Sequence, residues 1–218
     1  MPFGLTKLAP ETNRLLRELG LSRGQVPPPA LAALERLARQ RDELQAQLAA
    51  AEDLADRDAL APVFNRRAFL RELHRTMSEV ERYRTPAAVL YIDLDGFKSL
   101  NDEYGHAAGD AVLRHVGLLL LDSVRESDVV GRLGGDEFGV ILNRASTEEG
   151  AAKAQSLSDK INSSAILYAG VPHRVRASVG VHPIAVVEDP ETALARADEA
   201  MYAEKHARRA QTQAFAGF

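Results

Sequence analysis

The sequence predicts an α/β domain that follows a helical N-terminal segment. Short apolar runs at residues 87–94, 129–133 and 138–142 are rich in β-branched residues and predict strands. Stretches with apolar residues three and four apart lie between these runs and predict helices. Acidic residues stand at the exit of the first run and between the other two, at Asp93 and Asp136. Alternating strands and helices are typical of an α/β domain, and the acids indicate a site at one of its ends.

Composition indicates a folded chain with one substantial domain and an appendage. With 218 residues and 45% hydrophobic residues, the chain is long enough to bury a core. A net charge of −4 gives no indication of a nucleic-acid binder, and the absence of cysteine excludes disulfides and thiolate metal sites. No apolar run approaches the roughly 18 residues of a membrane span, and the N-terminus lacks a signal-peptide pattern. We therefore expect a cytoplasmic protein without nucleic-acid or membrane partners.

Residues 1–29 predict a short helical segment. A run of leucines predicts an amphipathic helix that begins near Thr12 and is ended by Gly20 and Gly24. The three prolines at residues 27–29 then predict a stiff, extended break. This segment is either a docking element or a helix packed on the next one, and the second interpretation is favoured.

Residues 30–57 predict a long helix, because they contain neither glycine nor proline. Its seam positions alternate three and four residues apart, and Arg41 interrupts the apolar series Leu34, Leu37, Leu44, Leu48, Ala51 and Ala55. Such a heptad run predicts a parallel coiled-coil stalk that joins two copies of the chain. The alternative is a single amphipathic helix that lies on the domain.

Residues 58–210 predict the α/β domain, and residues 211–218 form a tail without assignment. Gly105 and Gly109 are interpreted as C-cap and turn residues ahead of the helix that Asp110 opens. The predicted order is a helix at 69–83, a central strand at 87–94, a helix from Asp110 to about Ser123, a hairpin over 129–142, a helix at 147–165, one or two strands within 171–187, and a helix from Asp189.

Two positions in this pattern point to ligand binding. Side chains alternate along a strand, so Asp93 and Asp95 point the same way at the strand exit. A solvated strand end explains Asp95, but Asp93 is better placed for a ligand. At the hairpin tip, Gly134 and Gly135 permit a positive φ or the close approach of a bulky ligand, and the two acids that follow supply carboxylates.

Several blocks of the sequence resemble the GGDEF domain, the catalytic domain of diguanylate cyclases. Gly134-Gly135-Asp136-Glu137-Phe138 matches the family signature. The block Phe97 to Leu113 carries every fixed position of the family pattern Phe-Lys-x-x-Asn-Asp-x-x-Gly-His-x-x-Gly-Asp-x-x-Leu. The run Asp58 to Arg67 resembles the opening motif, and residues 197–209 resemble the closing helix. Together these matches cover roughly residues 56–210.

The sequence departs from the family pattern at four places. In the opening motif, Ala61 and Pro62 replace the usual Thr and Gly and Val63 replaces Leu, and these changes concern regulation more than chemistry. Arg208 replaces a glycine beside Arg209 and alters how Arg209 is presented.

The resemblance implies a palm-like domain with a central, mostly antiparallel sheet flanked by helices, similar to class III nucleotidyl cyclases. It also implies a Mg²⁺-dependent nucleotidyltransferase that condenses two GTP into cyclic di-GMP and releases two pyrophosphates. The family's metal ligands correspond to Asp93, the carbonyl of Leu94, and Asp136, for two Mg²⁺ per active site with Mn²⁺ as an alternative. Glu137 corresponds to a further metal ligand or a proton acceptor.

The resemblance also implies a set of substrate contacts. A carboxylate at Asp110, with Asn101, can accept from the N1–H and the 2-amino group of guanine, a donor pair that adenine lacks. Lys98, Lys205 and Arg209 correspond to contacts of the triphosphate. The full set implied for the substrate is Phe97, Lys98, Asn101, Asp110, Gly134, Gly135, Lys205 and Arg209.

Regulation is implied by two further features. Arg125 and Asp128 stand at the offset of the family's inhibitory site, where cyclic di-GMP binds as feedback inhibitor. Each domain supplies one GTP half-site, so a homodimer through the N-terminal helix is expected. Two alternatives remain: a catalytically weak domain that acts as a receptor for GTP or cyclic di-GMP, and a helical interaction protein whose palm domain is only a scaffold.

Overall fold

The computed structural model describes residues 10–216 of the chain. Within that range, the side chains of residues 11, 49, 50, 52–54 and 208–216 are outside the description. The chain divides between Ala55 and Asp56 into two compact units. None of the helices in the described range is long and apolar enough to cross a membrane.

The first unit consists of two helices joined by a short 3-10 turn at residues 23–25. Helix α1 spans Pro10–Glu18 and helix α2 spans Pro28–Asp56. Leu16 of α1 and Ala38 of α2 are only 4% and 1% exposed, because the two helices pack together. This is the packing that the sequence favoured for the first helix.

Helix α2 differs from its prediction at the start. It begins at Pro28, so the extended break predicted for residues 27–29 is wrong. Proline is tolerated in the first turn of a helix, where its missing N–H has no helical partner to lose. Three leucines of the predicted heptad seam, Leu37, Leu44 and Leu48, are 58%, 64% and 59% exposed.

The second unit is a five-stranded sheet flanked by helices, with a small separate hairpin. Its elements are β1 (Phe64–Asn65), α3 (Arg66–Tyr83), β2 (Ala87–Asp95), α4 (Phe97–Tyr104), α5 (His106–Ser123), β3 (Val129–Arg132), β4 (Glu137–Asn143), α6 (Thr147–Ser163), β5 (Ile166–Tyr168), β6 (Val171–His173), β7 (Arg176–Ile184) and α7 (Pro190–Ala216). The strand order is β1-β3-β4-β2-β7, and only the β1–β3 pair is parallel. The predicted fold class, a mostly antiparallel sheet with flanking helices, is confirmed.

Strand β2 lies in the centre of the sheet and contributes to the core on both faces. Leu90 and Ile92 pack with residues of α4, α5 and α6 on one face. Val89 and Tyr91 pack with residues of α3 and α7 on the other. Because side chains alternate along a strand, Asp93 continues the row of Val89 and Tyr91 toward α7.

The β3–β4 hairpin is fixed to the sheet by an aromatic side chain of α3. Gly131 and Gly139 face each other across the two strands. A Cβ atom at these positions would stand 2.7 Å and 2.5 Å from the Phe69 ring. Phe69 is completely buried, so both glycines provide the space for this ring.

The α4–α5 connection corrects two expectations. Helix α5 begins at His106 rather than Asp110, and Gly109 lies inside it instead of in a turn. Gly105 does end α4, and its φ of 82° is in the region that favours glycine. The two glycines therefore have different functions, since Gly105 provides a backbone turn and Gly109 provides space.

Other differences concern boundaries and short strands. Helix α3 begins at Arg66, because Asn65 caps it by accepting from the backbone N–H of Ala68. The sequence did not predict β5, whose residues Ile166–Tyr168 pair with β6. Three-residue strands carry too little periodicity to be recognised. Helix α7 continues to Ala216, through most of the tail that had no assignment.

Candidate active site

The exit of β2 and the tip of the β3–β4 hairpin lie side by side. Asp93 on β2 is the direct cross-strand partner of Glu137 on β4, so the two side chains share one face of the sheet. One residue further, the backbone N–H of Leu94 donates to the carbonyl oxygen of Asp136 at 3.2 Å. The antiparallel register thus brings together the predicted acids of two separate sequence blocks.

The acids at this end of the sheet repel one another. Burial raises the pKa of the Asp136 carboxyl above its ordinary value, and the negative charge of Asp93 raises it further. Glu137 adds to the effect, while Lys205 acts in the opposite direction. A nearby positive charge favours the ionised form of such carboxyls.

Glu137 is held by two neighbours. Burial raises the pKa of Tyr91, and the hydrogen bond that its hydroxyl donates to Glu137 raises this pKa further. On the other side, a Cβ atom at Gly134 would stand only 2.1 Å from Oε2 of Glu137. The Glu137 carboxylate therefore occupies the space that the missing side chain of Gly134 leaves.

The two signature glycines do not adopt the positive φ that the sequence suggested. Positive φ values among the described glycines occur at other positions, so backbone strain does not explain Gly134 or Gly135. Gly134 provides space for Glu137, whereas a Cβ atom at Gly135 would meet nothing within 4 Å. Gly135 is exposed and leaves the hairpin tip open to a ligand.

A second link fixes the hairpin tip to the start of the domain. The Arg132 guanidinium lies 3.1 Å from Oδ1 of Asp58 and donates to the carbonyl of Gly135 at 2.7 Å. Asp58 also accepts the backbone N–H groups of Leu60 and Ala61 at 3.0 Å and 2.8 Å. The opening motif of the domain is thereby connected to the tip that carries Asp136.

Lys205 provides the positive charge beside these acids. It extends from α7 and forms an ion pair with Asp93 and a second one, 2.8 Å long, with Asp95. Lys98 is exposed on α4. Helix α7 includes position 209, but the side chain of Arg209 lies outside the described part of the chain.

The acids fit a metal that is held jointly with a nucleotide. Within the described residues, no three acidic or histidine side chains stand close enough to hold a metal ion on their own. Mg²⁺ commonly uses one or two carboxylates and takes its remaining ligands from water and substrate phosphates. Asp93 and Asp136, with the backbone of Leu94 between them, fit this mode because they supply two neighbouring carboxylates: burial and then the charge of Asp93 raise the pKa of Asp136.

The predicted guanine-binding residues meet at the α4–α5 pair. A Cβ atom at Gly109 would stand 1.9 Å from Oδ1 of Asn101 and 3.0 Å from the Phe97 ring, so both side chains lie against this glycine. Oδ1 of Asn101 is buried and has no hydrogen-bond partner among the described residues. Asp110 follows Gly109 directly and is half-buried. An unpaired, buried acceptor beside a carboxylate indicates a ligand with N–H donors.

Arg125 and Asp128 lie away from these groups, at the opposite end of β4. They line a cavity of about 300 Å³ together with residues of β4 and α6. Asp128 accepts the backbone N–H of Arg125 at 3.0 Å and that of Asn143 at 3.1 Å. Asp128 thus shapes the turn, while Arg125 is exposed at its start.

The structure adds residues that the sequence interpretation missed. Tyr91 shares a face with Asp93 two residues away, so strand alternation alone could have indicated it. Ser178 contacts Asp95 across the sheet, and Arg132 contacts Asp58 across 74 positions of the chain. The first contact depends on strand register and the second on the loop before β1 that carries Asp58, and the sequence determined neither.

A comparison with known protein families identifies the family that this domain resembles. The family model described as "Diguanylate cyclase, GGDEF domain" matches residues 55–211. The probable diguanylate cyclase DgcE of Escherichia coli (strain K12) is 37% identical over 165 residues, which cover 74% of this chain and 15% of that protein. The diguanylate cyclase DosC of the same strain is 36% identical over 149 residues, 68% of this chain and 32% of DosC. This chain therefore spans less than a third of either relative.

Solved structures of similar fold include two with a bound partner. The coiled coil and GGDEF domain of DgcB from Caulobacter crescentus, in complex with c-di-GMP, has a TM-score of 0.72 and 27% identity. The match covers 81% of this chain and 94% of that one. The diguanylate cyclase SiaD from Pseudomonas aeruginosa, in complex with its activator SiaC, has a TM-score of 0.69 and 29% identity over 89% of this chain and 76% of SiaD.

Proposed function

The chain belongs to the GGDEF domain family of diguanylate cyclases, and from this membership we propose that it condenses two GTP into cyclic di-GMP with release of two pyrophosphates. The observation that carries the proposal is the convergence of Asp93 with Asp136 and Glu137 beside Lys205. A related palm domain that served only as a scaffold would have no need for mutually repelling acids. We infer a cytoplasmic location, where GTP is available.

In this proposal, Asp93, Asp136 and the Leu94 carbonyl hold Mg²⁺ together with the nucleotide, and Mn²⁺ is an alternative. Two bound ions supply an activated 3′-hydroxyl and neutralise charge on the leaving pyrophosphate. Glu137 faces Asp93 and is fixed by the Tyr91 hydroxyl. It therefore serves as a further ligand or accepts the proton of the attacking hydroxyl.

Guanine selection falls to Asn101 and Asp110. The buried, unpaired Oδ1 of Asn101 needs a donor, and the half-buried Asp110 carboxylate can accept two. Guanine offers the N1–H and 2-amino donors, whereas adenine would leave these acceptors unpaired. Phe97 packs its ring against Gly109, the residue before Asp110, and so supports this site.

The triphosphate is assigned to the cations and to the open hairpin tip. Lys98, Lys205 and Arg209 provide positive charge from α4 and α7, and phosphate oxygens are strong acceptors for such groups. The absence of side chains at Gly134 and Gly135 allows the nucleotide to lie against the backbone. The leaving pyrophosphate then departs along the same cationic face.

A dimer is required, because each domain supplies one GTP and both must face each other. The exposed Leu37, Leu44 and Leu48 of α2 stand seven and four residues apart, as positions of one heptad seam do, and this favours association with a second copy. Substituting Leu44 with Lys is expected to lower specific activity at low protein concentration and to abolish the dimer in sedimentation analysis. The single domain should keep its melting temperature, and an unaffected dilution profile would contradict the role of α2.

Feedback inhibition is assigned to the cavity at Arg125 and Asp128. A guanidinium can donate a bidentate pair of hydrogen bonds to a guanine edge or a phosphate. Cyclic di-GMP bound there at the far end of β4 would hold two domains in an unproductive pose. Its role is therefore inhibitory rather than catalytic.

The direct test is incubation of the purified chain with GTP and Mg²⁺, followed by assay of pyrophosphate and cyclic di-GMP. Asp93→Asn is expected to lower the rate by about 100-fold or more, because it removes one charge from the metal site. Asp159→Asn on the exposed face of α6 is a matched control with unchanged rate. Binding of GTP or cyclic di-GMP without pyrophosphate release would make the chain a receptor, and full activity of Asp93→Asn would refute the metal assignment.

A further inference from the structure

Asp95, the last residue of β2, has no role in the function proposed above. It lies two residues beyond Asp93 and on the same face of the sheet. A carboxylate at a strand end is usually solvated, but the Asp95 side chain is only 23% exposed. Its two oxygens instead contact two other elements of the domain.

The contacts of Asp95 form a chain across three elements. On one side, the Ser178 hydroxyl of β7 donates to Oδ2 of Asp95 at 2.9 Å. On the other, the Lys205 ammonium of α7 lies 2.8 Å from Oδ1. Ser178 is completely buried, so the position of its hydroxyl is set by the fold. Ser178 thus orients the carboxylate, and the carboxylate orients the ammonium.

This orientation matters because a lysine side chain is flexible. A long cationic side chain loses rotamer entropy when it is held in one position. Asp93 also contacts Lys205, but Asp93 is a proposed metal ligand and its charge is needed there. Asp95 is therefore the acid that can remain with Lys205 while the ammonium, which has three donors, also binds a phosphate.

We propose that Asp95 is a positioning residue which, held by the Ser178 hydroxyl, keeps Lys205 directed at the triphosphate of GTP. This inference rests on the proposed function, because it takes the triphosphate as the partner of Lys205. Because Asp95 already orders Lys205 in the nucleotide-free protein, less side-chain entropy is lost when the nucleotide binds, and the affinity is higher. A purely structural ion pair would instead affect stability and leave nucleotide affinity unchanged.

Ser178→Ala tests the proposal by removing one hydroxyl group. We expect the affinity for a GTP analogue with an α,β-methylene bridge to fall about tenfold, as for the loss of a hydrogen bond to a charged group. Ser158→Ala is the matched control, because Ser158 is also buried but donates to the carbonyl of Ala177 at 3.0 Å. It should leave the affinity unchanged.

A double-mutant cycle with Lys205→Met separates positioning from general damage. If Ser178 acts through Lys205, the double variant binds the analogue no more weakly than Lys205→Met alone. Losses that add, or an equal loss in Ser158→Ala, would overturn the proposal. Asp95→Asn provides a second route should Ser178→Ala unfold, because the Asp95 side chain is partly exposed and its substitution leaves the core intact.

A measurement without nucleotide distinguishes this inference from the proposed function. The order of the Lys205 ammonium, measured by nitrogen NMR in the nucleotide-free protein, should fall in Ser178→Ala and not in Ser158→Ala. If that order is unchanged, the positioning role is wrong even if the chain is a cyclase. If the order falls but the unsubstituted protein neither binds the analogue nor forms cyclic di-GMP, the proposed function fails instead.

Discussion

Asp58 and Asp136 are two half-buried aspartates of the same domain with opposite electrostatic surroundings. Arg132 lies between them, since it contacts Asp58 and donates to the carbonyl of Gly135, the residue before Asp136. Burial tends to raise the pKa of Asp58, but the backbone N–H groups of Ala61 and Leu60 and the Arg132 guanidinium lower it overall. The pKa of Asp136 is raised by burial and by the charge of Asp93.

This difference separates a scaffold carboxylate from the one proposed to bind a metal. Asp58 has its donors supplied by the protein, so its charge is stabilised in the folded state. Asp136 is partly buried and has acidic neighbours, so its charge is costly until a cation compensates it. Both lie in family motifs, and the sequence alone does not tell them apart. Perturbed groups with unsatisfied charge mark functional sites more reliably than burial does.

The largest expected effect comes from Asp136→Asn. It removes a charge from the proposed metal site and should lower the rate of pyrophosphate release by about 100-fold or more. The melting temperature should stay equal to that of the unsubstituted protein or rise, because a like-charge repulsion is removed. Calorimetry and the enzyme assay on one preparation check both results. A large loss of stability would show that Asp136 is a scaffold carboxylate after all.

A smaller effect is expected from the signature glycines, which the structure separates by function. Gly134→Ala should displace the Glu137 carboxylate, whose Oε2 would stand 2.1 Å from the new Cβ. We expect about a tenfold loss of turnover with a nearly unchanged melting temperature, because the end of a flexible side chain can move. Gly135→Ala meets nothing in the nucleotide-free protein and should act mainly on the KM for GTP. Equal changes in both variants would remove this distinction.

The ionisation of Asp58 and that of Asp136 should change the free energy of unfolding in opposite directions. The folded pKa of Asp58 lies below its ordinary 3.8, so its contribution is complete above that pH and is lost as pH falls through the folded value. The folded pKa of Asp136 lies above 3.8, so its ionisation destabilises the fold as pH rises through the raised value. Denaturant unfolding of Asp58→Asn, Asp136→Asn and the unsubstituted protein between pH 2.5 and pH 6 measures the two pH-dependent contributions to the free energy of unfolding.

At neutral pH, Asp58→Asn should also lower the free energy of unfolding by about 1–2 kcal/mol, since it weakens hydrogen bonds to a charged group. Asp159→Asn, on the exposed face of α6, is the control that should change neither the free energy of unfolding at neutral pH nor its pH dependence. If both aspartate variants shifted the pH profile in the same direction, the contrast between scaffold and ligand-binding acids would be wrong.

The sequence predicted the sheet class correctly for a simple physical reason. Apolar strands and a glycine-containing hairpin are local signals, and alternation along β2 places Asp93 on a defined face. The start of α5 was missed because Gly105 and Gly109 both read as helix breakers. The second of them is inside the helix, where it provides space for Asn101, and this packing is a tertiary property.

The contacts that distinguish the site were beyond a local interpretation. Ser178 reaches Asp95 across 83 positions of the chain, and Arg132 reaches Asp58 across 74. The first pair follows from strand register, in which a shift of one residue would send every side chain to the other face, and the second from the fold of the loop that carries Asp58. The sequence therefore indicated candidate carboxylates, but not which of them the protein already satisfies.

The smallest effect on the initial rate is expected for the substitution of Arg125. Its neighbour Asp128 is a third aspartate that can be compared with Asp58 and Asp136. Asp128 resembles Asp58, because its oxygens accept the backbone N–H groups of Arg125 and Asn143. Its neighbour Arg125 has an exposed side chain and lines the cavity proposed for cyclic di-GMP. Arg125→Ala should therefore leave the initial rate within about twofold while product no longer slows the reaction.

Asp128→Ala should act differently, since it removes the acceptor that shapes the turn. We expect a loss of about 1–3 kcal/mol in the free energy of unfolding, because two backbone donors lose their partner, together with weaker inhibition by product. Progress curves with added cyclic di-GMP and denaturant unfolding of both variants separate the two roles. If Arg125→Ala were as destabilising as Asp128→Ala, or left inhibition intact, the division between a satisfied acid that builds the turn and an exposed cation that binds the ligand would not hold.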